Sequence, residues 1–140
     1  MDLTLAIAKQ LAKIVPNATI YRENREQGFT EPSFYIYEIN AKSRANLMDF
    51  QMRGHTFCVT WFPNTEDSDI GPRQQCEDMR EKLLDGFDFL DDLSFQVLDK
   101  EAEISQEALI LTFRLRYRVV KEKEGVLLEN LTTKGDVKRA

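Results

Sequence analysis

The segment Ala108–Lys121, ALILTFRLRYRVVK, constrains the fold more than any other part of the chain. Its apolar and polar residues alternate with a period of two, which predicts a long β-strand. The apolar face of this strand is formed by Leu109, Leu111, Phe113, Leu115, Tyr117 and Val119. The opposite face carries Ile110, Thr112, Arg114, Arg116, Arg118 and Val120. A strand with one apolar face needs a second layer of structure to cover that face.

Two amphipathic helices are predicted to supply the covering layer. The first spans residues 2–15, where Leu3, Ile7 and Leu11 recur at helical spacing before Pro16 ends the run. The second spans residues 72–86 and begins at Pro72, a residue suited to a first helical turn. The stripe of the second helix is formed by Cys76, Met79, Leu83 and Phe87.

The remaining strands are predicted at Ala18–Arg22, Ser33–Ile39, Phe50–Phe62 and Phe95–Ile104. Short links between strands favour an α+β fold, a mostly antiparallel sheet of about 4–5 strands with two helices packed on it, in the order α-β-β-β-α-β-β. The strand Ser33–Ile39 is apolar on both faces, so we expect it to be central and covered on both sides.

Composition limits the class of protein. The chain of 140 residues carries a net charge of −5, which argues against general affinity for nucleic acid. No apolar run approaches the ~20 residues of a membrane span, and the N-terminus lacks the features of a signal peptide, so we expect synthesis in the cytoplasm. Residues 1–123 are predicted to form a single domain, and residues 124–140 a partly flexible C-terminal extension.

No catalytic or metal-binding constellation is recognisable. The single histidine, His55, stands three residues from Cys58, and side chains at that spacing in a regular strand point to opposite faces. Both Cys58 and Cys76 are predicted to be buried thiols. An acidic run, Asp85–Asp92, lacks the register of a calcium loop. The sequence therefore predicts no enzyme, no metal and no cofactor.

Two groups of residues are candidates for contact with another molecule. The arginines Arg114, Arg116 and Arg118 either pair with carboxylates in the chain or in a neighbouring subunit, form a solvated face, or meet DNA or another anion. The acidic composition of the chain favours pairing of these arginines with carboxylates. Aromatic residues form the second group, and they fit either core packing or a subunit interface. This group consists of Phe29, Tyr35, Tyr37, Trp61 and Phe62.

Several motifs occur together in a recognisable order. An element QGF-x-EP, with Gln27, Gly28, Phe29, Glu31 and Pro32, precedes an aromatic strand. The next strand ends in an aromatic step of Trp61, Phe62 and Pro63, and a helix containing a cysteine follows. Together with the segment LLENLTT near the C-terminus, this order resembles the tail terminator (tail completion) proteins of tailed phages of Gram-positive bacteria.

The resemblance implies an assembly role rather than a reaction. It implies a homo-oligomeric ring, typically a hexamer, that caps the tail tube, stops its polymerisation and offers a surface for head joining. The implied partners are other copies of the chain, the major tail tube protein and a head-side neck or connector protein, with DNA only passing through the bore and no membrane. The implied location is the head-proximal end of the virion tail.

The alternatives are another neck or head–tail connector protein, or a monomeric module that binds an anion or a protein. The segment Asn40–Asp49 matches no family feature, and its Leu47 and Met48 fit either a tube contact or an ordinary hairpin tip. The predicted interface residues are Phe29, Leu47, Met48, Trp61, Phe62, Arg114, Arg116 and Arg118.

Overall fold

The computed structural model describes residues 1–22, 30–45, 48–66 and 69–120. The elements are α1 (Leu3–Ile14), β1 (Ile20–Tyr21), β2 (Ser33–Ala45), β3 (Phe50–Phe62), α2 (Pro72–Gly86), β4 (Phe89–Leu90), β5 (Phe95–Gln96), β6 (Leu98–Ser105) and β7 (Ala108–Val120). Both helices and the long strands β3 and β7 lie where the sequence pattern places them. The α+β class is confirmed.

A five-stranded sheet forms the centre of the fold, in the order β1-β2-β3-β7-β6. Strand β1 runs parallel to β2, with Ile20 opposite Phe34. Strand β6 is antiparallel to β7 along the register from Ser105↔Ala108 to Leu98↔Arg114. The predicted mostly antiparallel sheet is therefore confirmed. A separate antiparallel pair, β4 and β5, was not predicted, because strands of two residues carry no periodic signal.

Both helices and one face of the sheet share a single hydrophobic core. Helix α1 begins at Asp2, whose carboxylate accepts a hydrogen bond of 3.0 Å from the backbone N–H of Leu5. This cap satisfies one of the orphan donors of the first turn. The core is formed by Ile7 and Leu11 of α1, Cys76, Met79 and Leu83 of α2, and the inward residues Phe34, Ile36, Phe57, Val59, Trp61, Leu109, Leu111, Phe113 and Leu115 of the sheet.

The expectation that β2 is covered on both sides is wrong. Phe34 and Ile36 are fully buried, but Tyr37 and Ile39 are 43% and 50% exposed. The physical reason is that α1 and α2 pack into the core on the side of Phe34 and Ile36, and no described element covers the other side. In the sheet order β2 is also not central, since only the short β1 lies beyond it.

Contacts along the chain define two compact units. The first unit contains residues Met1–Ala41 and His55–Arg116, and it holds both helices and the core. The second unit contains Lys42–Gly54 and Tyr117–Ala140, and its described part consists of the ends of β2, β3 and β7 with the β2–β3 turn. The predicted extension 124–140 and the LLENLTT segment lie outside the described residues. Neither described helix is long and apolar enough to cross a membrane.

Candidate interaction surface

The side of the sheet away from the core is the most extended surface that the described helices do not cover. We call the part of it that lies in the first unit the open face. Its residues alternate with the core residues along each strand, and residues paired across strands share a face. The open face carries Tyr35, Tyr37 and Ile39 of β2, Cys58, Thr60 and Phe62 of β3, Ile110, Thr112, Arg114 and Arg116 of β7, and Glu101 and Glu103 of β6.

The β2 side of the open face is aromatic. The rings of Tyr35 and Tyr37 lie 5.6 Å apart and are tilted by 38°. Hydrogen bonding to Cys58, together with partial burial, raises the pKa of Tyr37 above its ordinary value of 10.0. The Cys58 thiol also lies 3.7 Å from the Thr60 hydroxyl, and it is buried, as predicted. Tyr37 therefore presents a ring that is held at its polar end and half open to solvent.

The β7 side of the open face is charged. Arg114 Nε lies 3.4 Å from Asp99 Oδ2, and both side chains are exposed. Together with Glu101, this pair lines a shallow depression of about 470 Å³. Within the described part of the chain, Arg116 is exposed and forms no ion pair. Arg114 therefore pairs with a carboxylate of its own chain, which is one of the three predicted alternatives. An exposed ion pair of this kind contributes little to the stability of the fold.

The other predicted interface residues lie in different surroundings. Trp61 is only 7% exposed and packs with its ring centroid 6.3 Å from that of Phe34, so its side chain belongs to the core. Phe62 is half-buried on the open face. Met48 is 83% exposed in the β2–β3 turn, where it adopts a positive φ of 60°. Phe29 and Leu47 lie outside the described residues.

Arg118 belongs to the second unit. Its guanidinium carbon lies 5.2 Å from the ring centroid of Phe50, a cation–π arrangement. The same unit contains Arg53, which donates a hydrogen bond of 3.0 Å from Nη2 to Gln51, while its buried Nε has no hydrogen-bond partner among the described residues. Sequence reasoning singled out Arg118 but did not group it with Lys42, Arg44 and Arg53 of the same unit. The excess of basic residues in the second unit becomes visible only when charge is counted separately for each unit.

The remaining polar clusters have structural explanations. His55 Nδ1 lies 2.6 Å from Glu38 Oε2, and its ring stacks on the core residue Phe57. Cys58 contacts Tyr37 and Thr60 on the other face, so the predicted separation of His55 from Cys58 is confirmed. No group of three or more metal-ligating side chains occurs among the residues that the structure describes.

Three carboxylates of the acidic run pair with lysines from other elements. Lys13 Nζ lies 2.9 Å from Asp91, Lys9 Nζ lies 3.6 Å from Asp92, and Lys100 Nζ lies 2.7 Å from Asp88. The hydrogen bond from Lys13 lowers the pKa of Asp91 below its ordinary value of 3.8. Asp91 and Asp92 therefore join the β4–β5 turn to α1, and Asp88 joins the segment after α2 to β6.

This geometry defines a small α+β protein in which no described element covers the second face of the sheet. The chain matches the family model described as "Phage tail terminator protein" over residues 2–126. It therefore belongs to the phage tail terminator family, which confirms the resemblance in its motifs. It is a structural protein of the phage tail, and its family role is in assembly rather than in catalysis.

A solved structure shows the same fold. It is a chain of the "Virion of native gene transfer agent (GTA) particle", with a TM-score of 0.51, covering 84% of this chain and 93% of that chain. The sequence identity is 14%, so this likeness speaks for the fold alone. No curated protein matches the chain. A Gram-positive host stays a prediction.

Proposed function

We propose that the chain forms a homo-oligomeric ring, a hexamer, that caps the head-proximal end of the tail tube. The ring stops polymerisation of the tube and offers the surface to which the head joins. Its partners are other copies of itself, the major tail tube protein and a head-side neck protein. The chain is made in the cytoplasm of the host and assembles on the finished tube.

The observation that carries this proposal is the open face. A single copy leaves Tyr37 and Ile39 half exposed beside the charged side chains Arg114 and Arg116. Tyrosine and arginine on a partly apolar surface are the composition enriched at protein interfaces. Burying apolar surface against a neighbour contributes about 25 cal/mol per Å² before the costs of association are subtracted.

A ring follows from an interface in which two unlike surfaces meet. Head-to-tail contacts of this kind close into a ring when the rotation between copies is a simple fraction of a full turn. The open face supplies one such surface, with Phe62, Arg114 and Arg116 as its predicted contact residues. Phe29 and Arg118 are retained as predicted contact residues in the same proposal.

The β2–β3 turn is the proposed contact with the tail tube. Met48 projects from this turn with 83% of its surface exposed, and Leu47 precedes it in the sequence. Methionine adapts to irregular apolar surfaces because its side chain is unbranched and polarizable. DNA passes through the bore without lasting contact, since a chain with a net charge of −5 repels phosphate.

Deletion of the gene from its phage or prophage tests the role directly. We expect tails of uncontrolled length that do not join heads, and restoration of normal particles by the unchanged chain supplied in trans. Tails of normal length that join heads would refute the role. Tails of normal length that fail to join heads would instead identify a neck or connector protein.

The ring interface is tested with a charge reversal on the open face. Arg116→Glu is expected to prevent assembly, measured by native mass spectrometry and by copies retained on purified tails, while leaving the circular dichroism spectrum unchanged. The matched control is Arg73→Glu on the exposed side of α2, where Arg73 pairs with Glu77 one turn away. Equal assembly of the two variants would remove the open-face arginines from the interface.

A further inference from the structure

Charge is divided unevenly between the two units. The described residues of the second unit include the basic residues Lys42, Arg44, Arg53 and Arg118 and one acidic residue, Asp49. The described residues of the first unit contain sixteen acidic and nine basic residues. A chain that is acidic as a whole therefore carries a basic surface on one unit and an acidic surface on the other.

The basic residues of β2 lie on a strand segment that no described element covers. Every residue from Tyr37 to Ala45 is exposed. Strand β1 pairs with β2 only at Phe34 and Tyr35, so among the described residues no strand lies along the outer edge of β2 beyond that point. Lys42 and Arg44 are two residues apart, which places their side chains on the same face at a spacing of roughly 7 Å.

An acidic counterpart with the same spacing occurs on β6, the strand at the other edge of the five-stranded sheet. Glu101 and Glu103 are exposed, are also two residues apart, and share a face because their partners Thr112 and Ile110 do. In the part of the chain that the structure describes, neither carboxylate forms an ion pair. The spacing of the two basic side chains on β2 therefore matches the spacing of the two carboxylates on β6.

We infer that Lys42 and Arg44 of one copy bind Glu101 and Glu103 of the next copy, with the exposed segment of β2 lying alongside β6. This inference rests on the proposed ring and names one of its contacts. It is a contact between unlike surfaces, as a closed ring requires. Opposite charges on neighbouring strand edges both attract the correct neighbour and fix its register, while like charges in a shifted register repel.

A second copy fits the basic surface better than nucleic acid does. The second unit also exposes the apolar side chain of Val120, and the Arg118 guanidinium lies over Phe50. Phenylalanine and arginine are both enriched at protein interfaces, whereas a surface for DNA is dominated by contacts from basic side chains to phosphate. The chain itself supplies the complementary acidic surface.

Disulfide crosslinking in assembled tails tests the contact. The double variant Arg44→Cys/Glu103→Cys is expected to give a ladder of linked copies under non-reducing conditions, because each copy joins the next. Each single variant alone is the matched control and is expected to give no ladder. Background from the native thiols is low because Cys58 and Cys76 are buried. Absence of the ladder from tails that retain the double variant would overturn the inference.

Charge exchange gives an independent measurement. Lys42→Glu/Arg44→Glu and Glu101→Arg/Glu103→Arg are each expected to weaken self-association about tenfold or more, because attraction becomes repulsion at two sites. The variant with all four changes is expected to recover self-association. Unchanged assembly of both pairs would overturn the inference, and so would a loss of DNA binding by the Lys42/Arg44 variant with assembly intact.

These outcomes separate the contact from the wider role. A ladder in a phage whose tails stop at normal length without the chain would leave the contact standing and refute the terminator function. A missing ladder in a phage that needs the chain for tail length would refute the contact and leave the function.

Discussion

Replacement of Lys100 by methionine is expected to destabilise the fold substantially. Lys100 Nζ donates hydrogen bonds of 3.1 Å and 2.7 Å to the backbone carbonyls of Leu83 and Leu84, and it lies 2.7 Å from Asp88. Its side chain is only 12% exposed. These carbonyls belong to the last turn of α2, where no further helical turn satisfies them and where the helix dipole favours a cation. A lysine from β6 thus caps a helix that is remote in sequence.

The three contacts of Lys100 contribute unequally to the stability of the fold. The Leu83 carbonyl also accepts a hydrogen bond of 3.0 Å from the Phe87 N–H, so it keeps one partner when Lys100 is replaced. Asp88 is 65% exposed and is screened by solvent, so its ion pair contributes little. The Leu84 carbonyl loses its charged donor, and a hydrogen bond to a charged group is worth about 1.5–3 kcal/mol. With the lost dipole interaction, we expect a decrease of about 2–3 kcal/mol in the free energy of unfolding.

Urea unfolding monitored by circular dichroism at neutral pH measures this change. The midpoint should fall with an unchanged slope, since the surface exposed on unfolding is the same, and the melting temperature should fall by about 10 °C. The matched control is Lys82→Met on the exposed side of α2, which should change stability by less than about 0.5 kcal/mol. A Lys100→Met variant as stable as this control would refute the reasoning.

Three further changes have defined outcomes. Asp2→Ala should weaken the fold at pH 6 but much less near pH 2. The hydrogen bond from Leu5, then those from Arg22 and Thr4, lower the pKa of Asp2 from 3.8 to about 2. The contribution of Asp2 to stability is therefore complete above pH 3.8 and is lost as the pH falls towards 2. Urea midpoints of variant and native chain at both pH values should converge at the lower pH; a constant difference would contradict the assignment. Trp61→Ala should cost about 3–5 kcal/mol of folding free energy if the indole acts in the core, whereas unchanged stability with lost assembly would place it in an interface. Met48→Asp should leave the melting temperature unchanged and reduce binding to purified tail tubes, and undiminished binding would exclude the turn from the tube contact.

Long segments with strong periodicity were predictable. Helix α1 was expected at residues 2–15 and spans Leu3–Ile14, and both Phe50–Phe62 and residues 72–86 were placed correctly. Their side chains repeat often enough for local pattern to decide the element. The continuation of β2 to Ala45 was missed, because this end is exposed throughout and carries no apolar alternation. The β2–β3 turn also places Met48 and Asp49 at positive φ, where glycine or asparagine would have given a clearer signal.

The candidate site was predictable only in outline. Alternation along β7 correctly separated Arg114 and Arg116 from the core, because side-chain direction is a local property of a strand. The pairing of Arg114 with Asp99 depends on the register of β6 against β7, which the bulge between Leu98 and Glu101 shifts, and no local pattern reports such a shift. Likewise, the aromatic character of Trp61 was compatible with core and interface, and only its three-dimensional surroundings place it in the core.

The incorrect expectation for β2 has the same physical origin as the proposed interface. A strand that is apolar on both faces must have both faces removed from water, and the sequence alone does not say which layer covers each face. In this chain α1 and α2 cover Phe34 and Ile36, while Tyr37 and Ile39 stay open. The described part of one copy therefore leaves the second face of β2 uncovered. In the proposed ring, each copy would place its own surface on the open face of the next. We therefore expect the neighbouring copy to bind at Tyr37 and Ile39, where the single-chain structure differs from the expectation from sequence.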